Sequence, residues 1–147
     1  MVATAPAPKI PTTKEEELAG LSYLQQLYQN QYSSLAQSIN GALERLADLN
    51  NTHTTLDGME KVTGKPILTP VGSEAYLFST ASTKKTLLVH IGANYLAEKT
   101  TDEAKGFISK QIERQTAFVN NLIKNRNDVE NALLEVSYRI DELTTES

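Results

Sequence analysis

Few side chains in this sequence could do chemistry. His53 and His90 could ligate a metal or move a proton, yet neither is read with a carboxylate or second histidine at metal-ligand spacing. Thr101-Asp102-Glu103 resembles an acidic metal loop in composition, but a helix N-terminus, which favours negative charge, accounts for it. No Ser-His-acid set, phosphate-cradling Gly loop or paired-carboxylate arrangement is evident. The absence of cysteine excludes disulfides and thiolate metal centres and fits a reducing compartment. The expectation is a protein without catalytic residues, metal or cofactor.

The elements carry more information than these residues. Residues 1–13 hold Pro6, Pro8 and Pro11 among Ala and Thr, a composition with little to bury, and are read as a disordered tail. From Leu18 a 3,4 spacing runs through Leu21, Gln25, Tyr28, Tyr32, Leu35, Ile39, Ala42, Leu46, Leu49, His53 and Leu56 to Glu60, with ten of thirteen positions apolar. Held over six heptads, this predicts a coiled-coil helix over 14–61. A second seam of eleven positions, nine of them apolar, runs from Ile108 through Val119, Arg126 and Val136 to Leu143, predicting another over 100–147. Thr100 with Glu103 reads as the capping box that starts it.

Between the helices, 62–99 has strand character. Residues 67–71, 75–78, 86–91 and 94–97 read as four strands in two hairpins, with Pro70 placing the first at an edge or a bulge. Isolated hairpins are marginal in water, so these strands need strands from another chain. Ile67, Leu68, Val71, Tyr76, Leu77, Phe78, Leu87, Leu88, Val89, Ile91, Tyr95 and Leu96 are the candidate oligomerisation residues. Helices of 43 and 44 residues joined by this insert are predicted to run antiparallel as arms of roughly 65 Å. Leu18 then lies near Leu143 at a free tip rich in Glu and Asp. The fold class is α+β, a long helical hairpin with two β-hairpins between its helices.

The 147-residue chain carries a net charge of −4 with no basic cluster, which argues against nucleic acid. No apolar run approaches the roughly 20 residues that span a bilayer, and no secretory leader is read at the start, so a cytoplasmic location off the membrane is expected.

Two runs are similar to known signatures. Gly64-Lys65-Pro66-Ile67-Leu68-Thr69-Pro70-Val71-Gly72 resembles the E-x-L-V-P-(I/V)-G stretch of prefoldin α-class subunits, with Thr69 where Val is usual. The run from Leu88 to Ala104, LVHIGANYLAEKTTDEA, resembles that family's V-x-(I/V)-G-x-(G/N)-x-x-(V/A)-E-K-(T/S)-x-(D/E)-(D/E)-A signature. The insert looks nearer to archaeal α subunits than to eukaryotic prefoldin subunit 5. The resemblance implies an ATP-independent chaperone in which two α- and four β-class subunits pool their hairpins into a β-barrel body. Its six coiled coils would hold unfolded polypeptides at their tips and pass them to a group II chaperonin. Leu18, Leu21, Leu24, Leu27, Tyr28, Val136, Ile140 and Leu143 are the candidate client contacts. Leu24 and Leu27 lead because they lie off the seam, where helix pairing does not claim them. The other class of function consistent with the sequence is a coiled-coil adaptor or tether with one folded partner, which breadth of binding would separate from a chaperone.

Overall fold

The structure is a computed structural model that describes residues 13–81 and 86–146. Residues 1–12 of the tail read over 1–13, residues 82–85 of the break between hairpins and residue 147 lie outside the described residues, while Thr13, read as part of that tail, is described and caps the first helix. The element order is α1 (Lys14–Val62), β1 (Pro66–Gly72), β2 (Ala75–Thr80), β3 (Thr86–Gly92), β4 (Tyr95–Thr100) and α2 (Thr101–Thr145). Two long helices thus enclose two β-hairpins in sequence, as the spacing predicts. No helix among the described residues is long and apolar enough to cross a membrane.

Local chemistry sets the boundaries. At the start of α1 the Thr13 hydroxyl accepts the Glu16 amide at 3.2 Å, and Glu15, Glu16 and Glu17 occupy the positive end of the helix dipole. α1 stops where Gly64 turns to φ 75°, with the Lys65 amide donating to the Val62 carbonyl. Gly58 stays inside the helix, since a single glycine weakens a helix by less than its packing returns. At α2 the capping box is complete: the Glu103 amide donates to the Thr100 hydroxyl at 3.2 Å, and the Thr100 amide to the Glu103 carboxylate at 3.4 Å.

Each hairpin is a separate antiparallel two-stranded sheet, β1 with β2 and β3 with β4. Both use a two-residue turn and shift register by a bulge before it, between Pro70 and Gly72 in one and between His90 and Gly92 in the other. Pro70, which has no amide for the ladder, sits opposite Tyr76 beside the bulge on a strand that has one open edge. In the second turn Ala93 and Asn94 both take positive φ, 48° and 63°, the geometry that follows the twist of the flanking strands.

Packing divides the chain into two units, Gly41–Val119 and the helical segments up to Asn40 and from Asn120. In the first, Leu56, Val89, Ala104 and Ile108 form a buried cluster, flanked by Leu49, Met59, Leu87, Phe107 and Ile112. There the helices run antiparallel, pinned by Gln115 Nε2 donating to the Ala42 carbonyl at 3.0 Å and by Lys105 paired to Asp57 at 3.3 Å. In the second unit they are again antiparallel, with Gln25 Nε2 donating to Ser137 Oγ at 3.1 Å and Arg139 bonded to Glu17 at 3.0 Å. Both seams predicted from the 3,4 spacing are the buried or half-buried stripes of their helices, except at the terminal Glu60.

Candidate functional site

The histidines do not make a site. His90 is exposed on β3, opposite Leu96. His53 Nδ1 lies 3.4 Å from Asp57, one helical turn on, which corrects the reading that no carboxylate stands at ligand spacing from it; a scan for ligand motifs passes over a lone i,i+4 pair. Lys105 shares that carboxylate. Among the described residues no group of three or more His, Asp or Glu side chains could hold a metal ion.

What the hairpins present instead is apolar surface. In β1–β2, Leu68 faces Phe78 across the ladder, and the two are 58% and 83% exposed. Val71, Tyr76 and Leu77 are exposed as well, and Ile67 is half-buried. The second hairpin divides by face. Leu87 and Val89 point at the helices, where Val89 is buried against the cluster of Leu56, Ala104 and Ile108. Leu88, Ile91, Tyr95 and Leu96 are exposed. The twelve residues read as one oligomerisation set are therefore of two kinds, because strand alternation sends neighbours to opposite faces and one face of β3 is already covered by α1 and α2.

Two-stranded sheets also leave each strand one edge without a sheet partner. All of Leu87–Gly92 lines a groove of about 560 Å³ whose walls include Leu49, Leu56, Phe107 and Ile108, with Arg45, Thr52 and Gln111 supplying polar groups. Exposed side chains of this size each gain about 1.5–3 kcal/mol on full burial. This unit carries its apolar groups where a second chain can reach them.

In the other unit the candidate contacts sort by seam position. Val136 and Leu143 are buried, and Leu18, Leu21, Tyr28 and Ile140 are half-buried between the helices. Leu24 is half-buried too, widening the stripe, whereas Leu27 is exposed. The large bare residues here are Tyr23, Leu134 and Tyr138, at 70%, 63% and 68% exposure, which the sequence reading missed. Their signal was available: each is a large apolar residue off the 3,4 spacing, the test applied to the leucines of α1 alone. Arg139 bridges Glu17 and Glu142 at this end, and the hydrogen bond its Nε donates to the Glu17 carboxylate raises its already high pKa.

Comparison with known proteins bears on both surfaces. A family model described as prefoldin subunit matches residues 28–146. Prefoldin subunit alpha of Pyrococcus horikoshii is 28% identical over 130 residues, covering 87% of this chain and 83% of its own. Prefoldin subunit alpha of Thermococcus onnurineus is 32% identical over 101 residues, covering 67% and 69%. Among solved structures, a filamentous prefoldin of Methanocaldococcus jannaschii seen by cryo-EM superposes with a TM-score of 0.59 at 26% identity, covering 85% of this chain and 98% of its own. The family match begins at Tyr28, so Leu18, Leu21, Tyr23, Leu24 and Leu27 precede it.

Proposed function

Since the chain belongs to the prefoldin family, a family of chaperone subunits without enzymatic activity, we propose that it works as an archaeal-type α subunit of an ATP-independent holdase. In this reading two copies assemble with four β-class subunits in the cytoplasm through the hairpins. The helix pairs hold non-native polypeptides, and the complex passes them to a group II chaperonin. The observation that carries the reading is the bare apolar surface of the hairpins, with Phe78 at 83% and Tyr95 at 70% exposure on strands that keep an open edge. A monomer gains nothing from that surface. A second subunit buries it and completes the sheets.

Client contact is assigned to the large apolar residues of the helix pair from Leu18 to Leu27 and from Leu134 to Leu143, led by Tyr23, Leu27, Leu134 and Tyr138. Several weak contacts, one set per subunit, give useful holding through multivalency. The test is to mix the chain with a β-class prefoldin subunit, weigh the native complex and follow aggregation of a denatured enzyme. A hexamer that suppresses aggregation supports the reading. No assembly together with no suppression sinks it, and tight binding to one folded partner with indifference to unfolded chains would identify a tether.

A further inference from the structure

We propose that the exposed face of α2 around Leu134 and Tyr138 selects by charge, taking extended non-native stretches in which basic residues flank apolar ones. This selectivity rests on the holding role proposed above and adds to it the class of chain that is held.

Leu134 and Tyr138 stand one helical turn apart and are 63% and 68% exposed. Side chains three and four positions away are their neighbours on a helix surface, here Glu130, Asn131, Glu135, Ser137, Asp141 and Glu142. Four of the six are acidic and none is basic. Glu142 is bonded to Arg139, whereas Glu130, Glu135 and Asp141 are exposed and make no ion pair with a described residue. The corresponding pair on α1, Tyr23 and Leu27, is exposed too, yet no residue three or four positions from either is charged. The acidic rim is therefore particular to α2 and does not simply accompany every exposed apolar pair.

The second observation is the field around that rim. Residues 41–119 carry nine acidic and nine basic side chains, while 13–40 and 120–146 carry nine acidic and four basic. The negative excess of the chain is thus concentrated on the helical segments that hold Leu134 and Tyr138. A helix C-terminus favours cations, yet the last turn of α2 has no basic residue, and Asp141 and Glu142 lie at that end. The start of α1, joined to it through Glu17 and Arg139, does not offset them, since Glu15, Glu16 and Glu17 already occupy its positive pole. An approaching cation gains from all of these charges together. Charge complementarity therefore names the occupant: apolar residues cover Leu134 and Tyr138, flanking Lys or Arg side chains meet Glu130 at one end and Asp141 at the other, and the Tyr138 ring takes a cation on its face. Glu130 to Asp141 spans about 16 Å of helix, the length of about five extended residues.

The test uses the full chain assembled with a β-class prefoldin subunit, and three photo-cross-linking peptides with one apolar core flanked by lysine, serine or glutamate. At low salt the lysine peptide is expected to bind about tenfold tighter than the serine peptide, and the glutamate peptide more weakly than either. Its cross-links should fall on α2 between Glu130 and Glu142, and its advantage should shrink to about twofold in about 0.5 M salt. The variant Glu130→Gln, Glu135→Gln and Asp141→Asn, confined to exposed side chains, should lose about tenfold in lysine-peptide affinity and change serine-peptide affinity by no more than about twofold. Three peptides held equally well overturn the charge selection and leave holding intact, whereas a wild-type assembly that holds none of them sinks the holding role itself. A lysine preference that survives in the variant, or cross-links that fall elsewhere on the chain, overturns the assignment to this face. Native lysozyme, folded and basic, bound as tightly as the lysine peptide would overturn a non-native occupant.

Discussion

Neighbouring residues on β3 have opposite work because a strand alternates its faces. Val89 is buried under the helices and Leu88 beside it is 65% exposed. Leu88→Asp should leave a folded, helical subunit that fails to assemble, by circular dichroism and native mass, whereas Leu56→Ala, in the cluster under Val89, should cost the subunit about 2–4 kcal/mol in chemical denaturation. Strain is local as well. Ala93 sits at φ 48°, where a Cβ meets its own backbone, at a cost of about 1–2 kcal/mol. Ala93→Asn tolerates that region and is expected to raise the thermal midpoint by about 2–4 °C.

At the scale of elements, each helix is fixed by its ends and its seam. Thr100 closes β4 and caps α2, so one hydroxyl sets where strand becomes helix. Thr100→Ala should cost about 1 kcal/mol and increase exchange in the first turn of α2. The seams are apolar with a few polar exceptions that do specific work. Gln25 and Gln115 reach across to Ser137 and the Ala42 carbonyl, contacts that a slipped register would break. Arg126 Nε finds no such partner and is buried without a hydrogen bond.

At the scale of the whole molecule, most of the exposed large apolar side chains among the described residues lie in the hairpins and in the helical segments up to Asn40 and from Asn120, with Leu43 and Phe118 apart from both. Proteins rarely leave such patches uncovered unless a partner uses them. Deleting residues before Tyr28 and after Leu133 should abolish suppression of aggregation yet leave assembly with β-class subunits intact, as read by native mass. Loss of assembly in that variant would place the assembly contacts in the helices. The first deletion removes only residues that precede the family match, so it also asks whether this chain's own sequence there contributes to holding.

Much of this was legible in the sequence because it rests on local periodicity. The 3,4 spacing from Leu18 to Leu56 and from Ile108 to Leu143 marks the stripes that are buried, and the Thr100–Glu103 spacing marks the start of α2. The two hairpins were legible from their turns, and Pro70 pointed to an edge or a bulge, both of which β1 has, whereas the matching bulge at His90–Gly92 carried no such signal. Which face of β3 is covered was not, since Leu87, Leu88, Val89 and Ile91 are all apolar and a continuous apolar run has no phase. Only docking of the second hairpin on Leu56 and Ile108 separates Val89 from Leu88. Pairing across helices was equally hidden, because whether Gln115 finds a carbonyl and Arg126 finds nothing depends on atoms more than seventy residues away in the chain. Sequence alone determined the elements, through periodicity along one chain; tertiary structure decided which apolar groups remain bare, because exposure depends on what distant residues cover.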